Sequence, residues 1–401
     1  MAGIVVVGAG QAGASLVAKL RALGYAGDLT LIGDEPVPPY QRPPLSKAYL
    51  LGKMELSRLF LRPQEYYADH EITLRMGAQV TRIDAAQRSL WLGDEAIRYD
   101  QLALTTGAEP RRLPAAIGGD LQGVYAVRRL ADIDAMASEF TEGRRVLIVG
   151  GGYIGLEAAA VAAQKGLSVT VIEAAPRILG RVASPETAAF VRDLHGAHGV
   201  TIREGVGLTR LTGEARVTGA ELADGSVLDV DFVIVGIGVV PAGGLAAQAG
   251  VTLDNGIAVD ELGRTSDPAI WAAGDCASFV YQGARTRLES VQNAIDQAEA
   301  VAANMLGAGQ PYVPMPWFWS DQYDMKLQIA GLNTGYDRII TRQTDAARSH
   351  WYFAGDRFLS VDAMNDPRAY MVGKRLLEGG KSPDPALIAD PATDLKALLK
   401  A

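Results

Sequence analysis

The sequence predicts an α/β fold class: two parallel βαβ domains in one chain, followed by a smaller C-terminal α+β domain. Three observations predict it. A β-branched apolar run leads straight into a glycine turn twice, at residues 3–13 and 145–155. Glycine supplies 45 of the 401 residues, about 11% where about 7% is usual, so many positions need close backbone approach or a positive φ. After Pro314 the composition turns aromatic and short segments alternate in polarity, the mark of an antiparallel sheet.

Residues 3–7 are apolar on both faces, as a central parallel strand requires, and Gly8-Ala9-Gly10-Gln11-Ala12-Gly13 follows at once. Residues 14–23 then place Leu16, Val17, Leu20 and Leu23 at helical spacing until Gly24, and residues 29–32 form the next strand, ending at Gly33-Asp34-Glu35. Residues 36–44 hold five prolines and are expected to be an ordered loop. The same grammar returns: strand 145–149, turn Gly150-Gly151-Gly152-Tyr153-Ile154-Gly155, Ala-rich helix 156–164, and strand 169–172 ending at Glu173. A third glycine-punctuated strand, 231–235, runs into Gly236-Ile237-Gly238, and residues 269–271 lead into Ala272-Ala273-Gly274-Asp275. Segments 327–330 and 338–341 belong to the C-terminal sheet. The tail, with Pro383, Pro385, Pro391 and a short amphipathic stretch at 395–399, is expected to be a surface extension.

Composition excludes several classes. The net charge is −8 and no run of five or six like charges occurs, so nucleic acid is not an expected partner. No apolar stretch approaches the roughly 20 residues of a spanning helix, so no membrane association is expected. One cysteine, Cys276, excludes an internal disulfide and a Cys-rich zinc site. With no signal peptide read at the start, a cytoplasmic location is expected. His195 and His198 lie three apart without a third ligand and read as a solvated helix end, so no metal is expected.

Glycines at this spacing let a chain turn tightly, bring a pyrophosphate close to the backbone and pack helix on strand. Gly8/Gly10/Gly13 with Asp34, and Gly150/Gly152/Gly155 with Glu173, therefore predict two Rossmann-like dinucleotide sites, each carboxylate accepting ribose hydroxyls. Asp275 closes a strand, where it either caps a helix or, on the resemblance set out below, accepts a hydrogen bond from a ribityl hydroxyl.

More specific motifs are Pro43-Pro44-Leu45-Ser46-Lys47-Ala48-Tyr49-Leu50, the 149–157 turn, Gly274-Asp275-Cys276-Ala277, Glu289-Ser290-Val291-Gln292-Asn293-Ala294 and Pro316-Trp317-Phe318-Trp319-Ser320-Asp321-Gln322-Tyr323. Through them the chain resembles the FAD-dependent NADH:ferredoxin reductases of bacterial oxygenase systems, from Ile4 to about Asp362. The resemblance implies a glutathione-reductase-like architecture: an FAD-binding domain from 1–112 and 242–316, an NAD-binding domain at 113–241, and a C-terminal domain at 317–401. It also implies that Ala12, Asp34, Lys47, Val80, Arg128, Asp275 and Val291 touch FAD, with Trp319 beside them, and that Gly152, Ile154, Glu157, Glu173 and Gly238 touch NADH. Lys47 is expected to offset the charge of the reduced flavin and Glu157 to pair with it, the two forming the catalytic pair. Tyr153 either stacks on a cofactor ring or packs, and Trp317 and Trp319 either line the electron route or pack the core.

Glu173 favours NADH, since a carboxylate repels a 2′-phosphate, although Arg177 four residues on softens the preference. Disulfide and CoA-disulfide reductases of this fold need thiols near 43–49, and none is there. Electrons are therefore expected to leave for an outside carrier, a [2Fe-2S] ferredoxin, with Arg62, Arg285, Arg287 and Arg338 as docking candidates or simply solvated surface. The alternatives are a rubredoxin or monodehydroascorbate reductase and an NADH-responsive signalling flavoprotein. A monomer or weak homodimer is expected.

Overall fold

A strand buried on both faces needs cover on both sides, and Ile4–Val7, buried throughout, is the centre of such a sheet. The computed structural model describes residues 3–344 and 347–400. By proximity the chain divides into two compact units, Met1–Arg42 with Met54–Glu109 and Val239–Pro314, and Pro43–Lys53 with Pro110–Gly238 and Met315–Ala401.

In the first unit a parallel sheet runs in the order Ile270–Ala272, Gln101–Leu104, Ile4–Val7, Leu29–Ile32, Ile72–Arg75. Helices Gln11–Ala22 and Val291–Met305 cover one face through Leu16, Val17, Leu20, Ala298 and Val301. The antiparallel strands Val80–Asp84, Ser89–Leu92 and Glu95–Arg98 bring Val80, Ile83 and Leu90 into the core on the other.

The second unit repeats the design. Its parallel sheet runs Thr201–Glu204, Ser168–Glu173, Arg145–Val149, Phe232–Val235, Val124–Ala126. The helix Tyr153–Gln164 is buried from Gly155 to Ala162, which is why its sequence is Ala-rich rather than amphipathic. An antiparallel sheet in the order Trp317–Gln322, Met325–Gly331, Arg357–Met364, Arg348–Ala354, Arg338–Gln343 completes the unit. Leu156, Ile178, Met325, Leu327 and Met364 pack into one cluster that joins this sheet to the helix layer.

Several expectations are corrected. Both helices after the glycine turns begin three residues earlier than expected, at Gln11 and Tyr153, because the glycines enter the first helical turn. By proximity the segment Pro43–Lys53 falls in the second unit. Ser46 and Lys47 there hold Glu157. The tail is not a surface extension: Ile388, Leu395 and Leu398 join the C-terminal core, and Arg342 donates to the carbonyls of Ile388, Asp390, Pro391 and Thr393 at 2.6–3.1 Å. His195 is fully buried rather than solvated.

Candidate functional site

The glycines of each turn divide into two jobs. Gly8 adopts φ +112°, and a Cβ there would stand 2.2 Å from Thr105 O, while one on Gly13 would stand 2.0 Å from Gly8 O. Gly150 and Gly155 repeat this, with φ +109° and clashes of 2.4 Å on Gly236 O and 2.2 Å on Gly150 O. These four close the turn. A Cβ on Gly10 or Gly152 meets nothing within 4 Å. The middle glycine therefore opens onto space in front of the helix.

Those two helices also lack what the other long helices have. Pro185–Ala197, Val291–Met305 and Pro367–Glu378 are capped by the side chains of Ser184, Ser290 and Asp366. Gln11–Ala22 and Tyr153–Gln164 start on Gly10 and Gly152 with no side-chain cap and no acidic residue in the first turn. Uncapped N–H groups at the positive end of a helix, with a glycine clearing the approach, fit a pyrophosphate. Both turns pass this test.

In the first unit Asp34 lies exposed just beyond the strand Leu29–Ile32. Gly274 has φ +82°, and its Cβ would lie 2.9 Å from Ala12 Cβ, so Asp275 follows directly from the start of the first helix. The strand Ala277–Tyr281 comes next, which removes the helix-cap alternative for Asp275. Val80 opens its strand and Val291 its helix. Cys276 is fully buried, its Sγ 3.4 Å from the carbonyls of Leu104 and Ala273, and burial pushes its thiol up.

In the second unit Glu173 braces the glycine turn itself, accepting from Gly151 N and Ala175 N, each at 2.8 Å. Arg177 is spent on the carbonyls of Leu179 and Gly180, at 3.5 and 3.4 Å, rather than turned toward Glu173. Gly238 takes φ +93° and Ile154 is exposed in the first turn of its helix. Arg128 lies just before the helix Leu130–Met136, its N–H bonded to Asp132 at 3.1 Å.

The strand Trp317–Gln322 organises the rest by alternation. Phe318 stacks on Tyr153 with centroids 4.8 Å apart, Ser320 donates to Glu157 Oε1 at 2.7 Å, and Gln322 lies 2.7 Å from His195 Nε2. Trp317 and Trp319 share the other face, 5.5 Å apart. The five-proline loop ends in a widened π turn, Leu45–Tyr49, closed by Tyr49 N to Pro44 O at 3.0 Å. It delivers Lys47 Nζ to within 2.9 Å of Glu157 Oε1, and Ser46 Oγ to 3.2 Å from Oε2. Burial pushes the Glu157 carboxyl up, opposed by Lys47, Ser320 and Ser46. Lys47 also lies 4.0 Å from Asp321.

Spacing in the sequence does not mark Ser46 and Ser320 as partners of this pair, or Gln322 and His195 as the bonds beyond Ser320. Ser320 and Gln322 carry one signal, the alternation 318, 320, 322, which puts two polar residues on a core-facing side. Of the docking candidates, Arg287 is paired to Glu289 with its side chain only 11% exposed, and Arg285 pairs with Asp254 at 3.1 Å. Arg62 lies over the Tyr66 ring and Arg338 donates to Gly355 O at 2.7 Å. Among the described residues no cluster of His, Cys, Asp and Glu has metal-binding geometry, and no helix is long and apolar enough to cross a membrane.

Residues 2–298 match the family model for pyridine nucleotide-disulphide oxidoreductases, and residues 317–399 match the reductase C-terminal model. A rhodocoxin reductase of Rhodococcus erythropolis is 43% identical over 98% of this chain and 93% of its own length. The covalent putidaredoxin reductase–putidaredoxin complex contains a chain 40% identical, with TM-score 0.96, covering 100% of this chain and 98% of that one. A ferredoxin reductase for the CYP199A2 system from Rhodopseudomonas palustris is also 40% identical, with TM-score 0.95 and 99% coverage of both chains.

Proposed function

The chain belongs to the pyridine nucleotide-disulphide oxidoreductase family, and on that premise we propose that it carries electrons from NADH through FAD to a [2Fe-2S] ferredoxin. That ferredoxin serves a cytochrome P450 or a ring-hydroxylating oxygenase. Bound FAD supplies the conversion between a two-electron donor and a one-electron acceptor. The observation that carries the reading is the thiol inventory. The turn Leu45–Tyr49 presents Ser46 and Lys47 to Glu157, and the one cysteine, Cys276, is sealed in the core of the first unit. No thiol relay is built, so the electrons leave for an external carrier.

Residue roles follow from this reading. Residues 1–112 and 242–316 bind FAD, 113–241 bind NADH, and 317–401 form the C-terminal domain. Gly10 and Gly152 admit the two pyrophosphates, while Asp34, Asp275 and Glu173 accept hydroxyls from the sugar portions. Lys47 supplies positive charge beside the reduced flavin, and Glu157 holds Lys47 in place. The chain acts as a monomer or weak homodimer in the cytoplasm.

The test is anaerobic stopped-flow reduction of the FAD-loaded protein by NADH, followed by mixing with purified carriers. Fast reoxidation by a [2Fe-2S] ferredoxin, and slow reoxidation by rubredoxin or monodehydroascorbate, is expected. Equal rates with all three would refute the ferredoxin assignment.

A further inference from the structure

Four hydrogen bonds run in one direction from the surface turn at Tyr323 to the Glu157 carboxylate. Ser320 Oγ donates to Glu157 Oε1 at 2.7 Å, and Gln322 Nε2 donates to Ser320 Oγ at 3.1 Å. Gln322 then has only Oε1 to offer His195 Nε2, 2.7 Å away, so His195 carries its proton on Nε2. Its Nδ1 is left to accept from the Tyr323 hydroxyl at 3.2 Å. Burial holds His195 neutral by pushing its pKa down, so a single tautomer satisfies every bond.

The outer end of the chain is built as deliberately. Tyr323 and Asp324 make a two-residue turn between paired Gln322 and Met325, and Tyr323 takes φ +56°, a conformation that bulky side chains rarely adopt. That backbone sets its ring edge-on to His195, 5.2 Å away, and flat against the exposed His198 at 3.7 Å. An outlier of this kind persists only where the surroundings over-determine it.

We propose that Ser320, Gln322 and His195 are positioning residues for Glu157, a one-way chain of donors that keeps its carboxylate ionised and turned toward Lys47. Oε1 already accepts from Lys47 and Ser320, so a proton on Glu157 is directed to Oε2, where it reverses the Ser46 hydrogen bond. Each donor polarises the next, and the gain accumulates on the terminal acceptor. The Gln322 amide does not pass protons, so the chain orients and does not conduct. The other titratable groups facing Glu157 are Lys47 from the π turn, Asp321 beyond Lys47 on the strand, and Tyr153 on its own helix.

The inference rests on reading Lys47 and Glu157 as part of the redox site, but its test does not depend on the electron acceptor. Infrared spectra of the FAD-loaded protein are followed against pH, using the protonated-carboxyl band that is lost in Glu157→Gln. Ser320→Ala and Gln322→Leu are expected to raise the midpoint by about one pH unit, tenfold in the protonation equilibrium, and Ser320→Thr to restore it. A parent midpoint in Ser320→Ala overturns the proposal even if Gln322→Leu fails to fold. Nitrogen-15 spectra of the four imidazoles are expected to show His195 as the Nε2–H tautomer at neutral pH; the Nδ1–H tautomer reverses the chain and equally overturns it. Failure of ferredoxin as acceptor leaves both spectra unchanged, so the two readings fail separately.

Discussion

Lys47 Nζ stands 2.9 Å from Glu157 Oε1, and the carboxylate is the more enclosed partner, its side chain 8% exposed against 18% for the lysine. The pair joins a turn after the proline loop to the second glycine-turn helix, two segments 110 residues apart. Removing the lysine strands a buried charge.

Lys47→Met is therefore expected to destabilise the protein by about 3 kcal/mol at pH 8. The Glu157 carboxyl already titrates above its usual range because of burial, and loss of Lys47 raises it further. A raised carboxyl contributes stability that is complete below its unfolded pKa and is lost as pH rises through the folded value. The penalty of Lys47→Met should thus shrink markedly at pH 5. Denaturation at the two pH values measures it, and an equal penalty at both contradicts the burial argument.

Gly10→Ala and Gly13→Ala should separate binding from folding. The first places a methyl in empty space before the helix and should leave the apoprotein's Tm unchanged while FAD retention falls at least tenfold. The second drives a methyl to 2.0 Å from Gly8 O and should lower the Tm of the apoprotein itself. Calorimetry with and without FAD distinguishes the outcomes. Equal Tm losses in both apoproteins would mean that Gly10 is structural.

In the proposed nucleotide site Glu173 would repel a 2′-phosphate, and Arg177 is occupied by loop carbonyls, so kcat/KM should favour NADH over NADPH by more than tenfold. Glu173→Gln removes the charge but keeps an oxygen for Gly151 N, and should narrow the ratio mainly by raising NADPH affinity. Equal kcat/KM values for the two nucleotides in the parent protein would sink the assignment.

Asp362 is fully buried, accepts hydrogen bonds from Thr187 and Tyr352, and has its carboxyl pushed up to about 6 by burial. Its contribution is complete below the unfolded value and is lost as pH rises through about 6. Asp362→Asn keeps an acceptor without the charge and is expected to stabilise the fold at pH 8 by up to about 3 kcal/mol, with little effect near pH 4. A Tm that falls equally at both pH values would show that the carboxylate is needed as such.

Arg342→Lys should release the tail. Four carbonyls share the planar guanidinium, and an ammonium lacks the geometry to serve them. Limited proteolysis is expected to cut after residue 380 in the variant long before it does so in the parent; identical digestion would mean that Ile388, Leu395 and Leu398 hold the tail unaided.

What closes over short stretches of chain is legible in the sequence. A βαβ turn brings strand, glycines and the carboxylate at the next strand's end together within about 30 residues, so Gly8, Gly10, Gly13 and Asp34, or Gly150, Gly152, Gly155 and Glu173, state their arrangement in their spacing. The motifs around Lys47 and Glu157 mark both residues, although spacing says nothing about a pair 110 residues apart. The rest emerges where distant segments meet. His195 reads as a solvated histidine until the strand Trp317–Gln322 packs over its helix and Gln322 meets it. The tail reads as an exposed extension until Arg342 gathers its carbonyls. In both cases a polar group from a distant segment makes burial tolerable, and that compensation exists only once sheet and helix are in contact.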